Sequence, residues 1–323
     1  NMKSYTSIQK VAYTSIQKVT VQKVTVSTLL FILTLVILPY YTEGDQRIYQ
    51  EIYNYLPDFD LVEGFILYTL NLSSQEFSHF LLAWLVSPYV NHTIFIAILN
   101  WVFTYVVLSL FQKWGASFSI SVTILFTNYY LLVLYFPAER LKFGFLFLAL
   151  SLIHANSKKS FIFLTLALIS HVQTIIFYIC LFFSYLVKTL RSKRLPKLIF
   201  VLPFILAIPL YFMSDQLILK FLAYSSAGGG IAGLWKLAVF FLLSIFYSKD
   251  KVETTSLFLP LFFAVFLVGG ERVNLFGYFL FLYYGLQFKG GRNYGVGITS
   301  VYYAYGSLIF IFNIFQYGTA FPT

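Results

Sequence analysis

The chain has 323 residues, of which 59% are hydrophobic, 21% aromatic and only 11% charged, with a mean hydropathy of +0.79 and a formal net charge of +10. Roughly a quarter of the residues of an average soluble protein are charged; a chain with under half that share cannot clothe a water-soluble body of this size, so soluble enzyme folds are excluded. The lysines and arginines fall in short clusters between apolar runs, the pattern of loops that hold a membrane topology rather than of a nucleic-acid surface.

In chain order, the heptapeptide YTSIQKV stands at Tyr5–Val11 and again at Tyr13–Val19, with QKVTV at Gln22–Val26. A period of eight in which Lys10, Lys18 and Lys23 recur leaves no apolar face to stack, which excludes a solenoid. A flexible or amphipathic cytoplasmic arm is expected over residues 1–25, either a local duplication or an expression remnant. Val26–Tyr41 then reads as the first transmembrane helix, without the small-residue site of a cleavable signal. The acidic stretch Thr42 to His79, with Asp45, Arg47, Glu51, Asp58, Asp60, Glu63 and Glu76, is expected outside.

Continuous apolar runs follow at Phe80–Tyr89, Thr93–Phe111, Phe118–Phe136, Leu141–His154, Phe161–Val187, Leu198–Met213, Ile231–Tyr247, Leu257–Val268, Val273–Phe288 and Gly297–Phe315. They lack the alternating polarity of a membrane β-barrel. The fold class is therefore all-α: a polytopic integral membrane protein of about ten or eleven transmembrane helices. It forms a single multi-spanning domain over 26–316, with external loops at about 42–79 and 214–230 and a short tail at 317–323. Several runs are too short for a perpendicular span and must tilt or break around a cavity.

The clusters Lys158-Lys159, Lys188 to Arg194 with Lys197, Lys249 to Lys251 and Lys289 to Arg292 are expected on the cytoplasmic side. The first two flank one apolar run, so that run must turn back near His171-Val172-Gln173 as a hairpin or re-entrant pair. Asp215–Gly230, Glu271-Arg272 and the C-terminus then fall outside. Phe80–Tyr89 is too short to span; as an interfacial or re-entrant segment it leaves Lys113 inside and Glu139-Arg140 outside.

Ionisable groups near membrane depth are candidates for chemistry. Arg140 beside Glu139, and Arg272 beside Glu271, each open an apolar helix, which would put two guanidinium groups at one depth. Their planar forks suit a diphosphate, although each pair also reads as an interfacial anchor. Asn274 in the same VGGERVNLFGY segment joins the substrate-binding candidates. His171, with Gln173 close by, suits a base for a hydroxyl proton or a satisfied core histidine. His154 reads as an interface residue, His79 and His92 as loop residues, and no spacing suggests a metal site. The single cysteine, Cys180, excludes an intramolecular disulfide. Asp45, Arg47 and Tyr49, then Glu63, offer polar contacts among aromatic residues that suit either a sugar or an interfacial belt. Gly228, Gly229 and Gly230 before a helix form a cradle for an anion or a hinge.

The order of GDQRIYQEIY after the first helix, EGF at Glu63-Gly64-Phe65, an ER before a helix, a Lys-Lys turn and SH within a helix resembles the EpsG-like and Wzy-type polymerases of bacterial surface polysaccharides. The resemblance covers roughly residues 27 to 290. It implies a GT-C-like glycosyltransferase of the bacterial cytoplasmic membrane, inverting and metal-independent, with no cofactor. Such an enzyme joins undecaprenyl-diphosphate-linked repeat units on the outer, periplasmic face, among membrane lipids and alongside a chain-length regulator. By resemblance Asp45 matches the loop aspartate, Glu63 the loop glutamate (with no proline before Gly64), Arg140 the helix-mouth arginine and His171 the helix histidine; Arg272 is assigned on physical grounds. A flippase or exporter of an anionic substrate is the alternative, though no inverted halves are visible. A multi-spanning acyltransferase ranks third because His171 shows no carboxylate nearby in sequence.

Overall fold

The computed structural model describes residues 2–72, 76–192, 218 and 230–321. Every regular element among them is helical. The α-helices are α1 Met2–Ile37, α2 Asp45–Tyr55, α3 Leu61–Leu72, α4 Phe77–Val86, α5 His92–Lys113, α6 Phe118–Thr127, α7 Tyr129–Tyr135, α8 Glu139–Ile153, α9 Lys158–Ser170, α10 Thr174–Ser192, α11 Gly230–Tyr247, α12 Lys251–Val268, α13 Gly270–Gln287 and α14 Tyr294–Tyr317. Their boundaries follow local chemistry. Asn91, Asn128, Asp250 and Asn293 each stop the preceding turn and accept a hydrogen bond from a first-turn amide of the next helix. Gly318 closes α14 in the left-handed conformation, at φ 67°.

Five stretches among the described residues are long and apolar enough to cross a membrane: Val19–Tyr40, His92–Lys113, Thr174–Ser192, Lys251–Val268 and Lys289–Tyr317. The pair α6 and α7, bent by 67° at Asn128, makes a sixth if counted as one broken span. The molecule is thus a polytopic helical membrane protein. By this measure the spans are fewer than the ten or so expected, because α8, α9, α11 and α13 are shorter or less apolar although they run between the same two ends. The run at Leu198–Met213 lies outside the described residues, as does nearly all of the 214–230 loop. Residues 2–25 of the expected arm are helical and continuous with the first span in α1.

Side-chain ties define the two ends. At one, Lys23 reaches Ser109, Lys113 donates to the carbonyls of Leu152 and Ile153, Ser117 N–H donates to Gly290, and Arg191 pairs with Asp250 at 2.8 Å. All the described basic clusters lie at this end. At the other, the amides of Thr42 and Glu43 donate to the carbonyl of Gly318, Gln46 meets Glu139, and Gly233 of α11 abuts Gly270 of α13 so closely that a Cβ there would collide with backbone. The alternation expected from the basic clusters is therefore present in the packing.

The expected reversal is present too. Helix α9 ends at Ser170, His171 is extended (φ −160°, ψ 124°), and α10 begins at Thr174. Fourteen residues of continuous helix would separate Leu164 from Tyr178 by about 21 Å, yet the Tyr178 hydroxyl donates to the Leu164 carbonyl. The chain folds back there. Thr174 Oγ1 caps the carbonyls of Ala167 and His171 at 3.0 and 2.7 Å, and the amides of residues 174 to 176 bond back into the turn.

The stretch 42–79 is not an irregular loop. It builds α2 and α3 and leads into α4, a short helix of the kind expected for Phe80–Tyr89. Helix α2 buries Gln46, Tyr49, Ile52 and Tyr53 along one stripe, continued by Leu56 just after it, and exposes its charges on the rest of its surface. Outward-facing Ile298, Val301, Tyr305, Leu308 and Phe312 of α14 form an apolar stripe suited to lipid.

Candidate functional site

Helices α2, α4 and α8, with the reversal after α9, gather ionisable side chains at the end opposite the basic clusters. Glu139 opens α8, where the helix N-terminus favours a carboxylate. It is 1% exposed and accepts from Gln46 Nε2 at 2.8 Å, with His92 Nε2 at 3.1 Å and His79 Nε2 at 3.5 Å from its oxygens. The other nitrogen of His79, Nδ1, meets the Tyr68 hydroxyl at 2.9 Å. One turn along α8, the fully buried Lys142 donates to the Tyr135 carbonyl at 3.0 Å.

The second half is built around Glu76, which has no exposed surface. Arg140 NH1 lies 3.0 Å from Glu76 Oε2, and His171 Nδ1 pairs with Glu76 Oε1. Arg140 Nε donates to the Tyr49 hydroxyl at 2.9 Å. Burial pushes the Tyr49 hydroxyl well above its ordinary range, against the pull of Arg140, so Tyr49 stays neutral and acts as an acceptor for the guanidinium. Arg140 keeps 18% of its side chain exposed while Glu76 keeps none, so the cation is the member of this pair that faces outward.

Buried carboxylates need partners that satisfy their charge, and here each has them: imidazoles and an amide for Glu139, a guanidinium and an imidazole for Glu76. The contact of His171 Nδ1 with Glu76 fixes the orientation of the ring, as in a base oriented by a carboxylate. The arrangement therefore places an oriented imidazole and a partly exposed cation on the two oxygens of one carboxylate.

Several sequence candidates meet here: Arg140, His171, Tyr49 and Glu139 are in the cluster, and Gln173 is buried in the adjoining turn. Others do not. Asp45 is exposed at the first position of α2, beside the buried Gln46. Arg47 is exposed between Glu43 and Glu51, in ion pairs of its own helix face. Glu63 is exposed in the first turn of α3. Glu271 is exposed and pairs with Lys236, and Arg272 is exposed beside it next to Gly270, at the same end of the helices as Arg140 but outside the cluster around Glu76 and Glu139 described above. Asn274 is fully buried within α13. Gly230 starts α11, and Gly228 and Gly229 lie outside the described residues.

Sequence reasoning missed Glu76, Gln46 and Lys142, and set aside His79 and His92 as loop residues. The signal was present as periodicity. Glu76, His79, Phe80 and Ala83 stand at i, i+3, i+4 and i+7 and are all buried, one face of α4. His171 also has the carboxylate partner whose absence in sequence had placed acyl transfer last.

These features define a class: polytopic helical membrane proteins with a buried cluster of ionisable side chains at one end. No family model, curated protein or solved structure matches the chain.

Proposed function

We propose that the protein is a membrane glycosyltransferase that polymerises lipid-diphosphate-linked oligosaccharide repeat units at the end opposite the basic clusters. By the positive-inside rule that end faces the outside of the cytoplasmic membrane. The observation that carries the reading is Glu76 holding Arg140 and His171 on its two oxygens. The acceptor hydroxyl attacks the anomeric carbon of the donor and passes its proton to His171. The bond to the lipid diphosphate breaks with its electron pair, and the charge arriving on the diphosphate is met by Arg140, fixed in advance by Glu76 and Tyr49. Glu139 with His79, His92 and Gln46 holds α2, α4, α5 and α8 together behind these two groups. In this reading about ten helices traverse the bilayer.

Complementation of a polymerase-null strain at matched protein levels tests it, with surface glycan length read on a gel. Wild type restores the long ladder. Arg140→Ala and His171→Ala reduce polymerisation by about 100-fold or more, leaving the single repeat unit, while Arg272→Ala keeps the ladder. Absence of a ladder with wild type, in a strain that makes the matching repeat unit, overturns the reading. The Glu76–His171 pair also favours a second reading, acyl transfer onto a glycan hydroxyl. New ester-linked acyl groups on glycan of unchanged length would select it.

A further inference from the structure

At the basic end, away from the Glu76 and Glu139 cluster, lies a cavity of about 630 Å³ between α5, α8, α10, α12 and α13. Each helix contributes apolar wall: Val107, Ala149, Leu181, Leu257 and Leu280 in turn. Trp114 stands at its side, and Lys113, Asn156, Glu253 and Gln287 line its polar mouth. The volume is that of a small-ligand site. Water gains little in a chamber with apolar walls, because it needs two or more polar partners, and an empty one forfeits the dispersion contacts of its lining. Hydrocarbon satisfies both conditions.

The mouth says which hydrocarbon. Lys113 and the half-buried Glu253 are the charged residues that line the mouth, and around it the exposed Lys158, Lys251 and Lys289 each stand two residues from Asn156, Glu253 and Gln287, with Lys159 and Lys249 exposed beside them, so cations outnumber the one lining carboxylate. The acidic Asp250 among them is already paired with Arg191. A chain inserted into the cavity thus leaves its headgroup among lysines, which favours an anionic headgroup. We infer that this cavity binds one acyl chain of an anionic membrane phospholipid, taken from the leaflet at the basic end, with the phosphate held at the lysine rim. This assignment is independent of the reaction proposed above.

Trp114 reports occupancy directly. In a protein retaining Trp114 alone, with Trp84, Trp101 and Trp235 replaced by Phe, fluorescence is followed in nanodiscs containing dibrominated phosphatidylglycerol or dibrominated phosphatidylcholine. Half-quenching is expected at an about 5-fold lower mole fraction of the phosphatidylglycerol for each lysine engaged. Ala149→Phe, which fills the cavity, reduces quenching to the level shared by both lipids. Lys158→Gln with Lys159→Gln narrows the preference but leaves chain quenching in place. Equal quenching by the two lipids overturns the anionic assignment, and quenching indifferent to Ala149→Phe overturns the cavity as the site. Should the single-tryptophan protein fail to fold, native mass spectrometry of wild type and Ala149→Phe decides: one retained phosphatidylglycerol, lost in the variant, supports the inference, and equal retention overturns it.

Discussion

At the residue scale, Glu139 is the strongest structural test. It is buried between two imidazoles and an amide, and truncating it removes the carboxylate that faces His79 and His92 and leaves Gln46 Nε2 only the Phe136 carbonyl. Glu139→Ala is expected to destabilise the protein by about 3–5 kcal/mol, the cost of breaking a buried ionic group. Gln46→Ala, which removes one neutral donor, costs about 1–2 kcal/mol. Unfolding midpoints in detergent separate the two. Arg140 and His171 were legible in the sequence because each interrupts or opens an apolar run, where a polar group stands out. Asp45 and Gln46 show why the rest was not. They are adjacent in sequence but about 100° apart around α2, so the acidic residue that draws the eye is solvated while the neutral amide reaches Glu139. Composition ranks residues by charge, whereas burial in an amphipathic helix is decided by phase.

At the element scale, the close approach of α8 to the reversal after α9 depends on Gly144. A Cβ there would stand 2.6 Å from Thr174 Cγ2 and 3.2 Å from the Cβ of His171. Gly144→Ala is expected to displace the turn, lower stability by about 1–3 kcal/mol and reduce any activity that depends on His171. Gly297 in α14 is the contrasting case, since a Cβ at that position would meet nothing within 4 Å. Gly297→Ala should be neutral or stabilise by about 0.5–1 kcal/mol, because it only removes backbone freedom from the unfolded chain. Parallel thermal melts of the two variants check both signs. The reversal itself was readable, since two basic clusters flanking one apolar run demand it. Helix α2 was not, because its mean polarity resembles that of a loop and only the spacing of its buried positions reveals it, while the apolar run of α3 was absorbed into the acidic stretch around it. Hydropathy marks apolar runs but not whether a run is long enough to cross alone: among the described residues five stretches meet that test, or six with the bent pair, where ten or eleven spans are expected.

At the scale of the whole molecule, the two ends make a topology prediction. Cys180 is fully buried in α10, so the native thiol provides a quiet background for labelling. Cysteines placed at Asp58 and Arg47 should react with an impermeant maleimide added to intact cells. Cysteines at Lys159 and Lys249 should react only after the membrane is opened. The reverse pattern would invert the protein in the bilayer and put the Glu76–Arg140–His171 cluster on the cytoplasmic side. That same cluster also sets an order of assembly. Glu76 leaves the ribosome well before Arg140 and His171, and at a synthesis rate of roughly 5–20 residues per second the first of these partners trails it by several seconds. For that interval a carboxylate destined for complete burial has no counter-charge. Helix α4, ten residues long and unable to span, has to wait at the water boundary until α8 and the turn after α9 arrive, so the site closes as a late step of biogenesis.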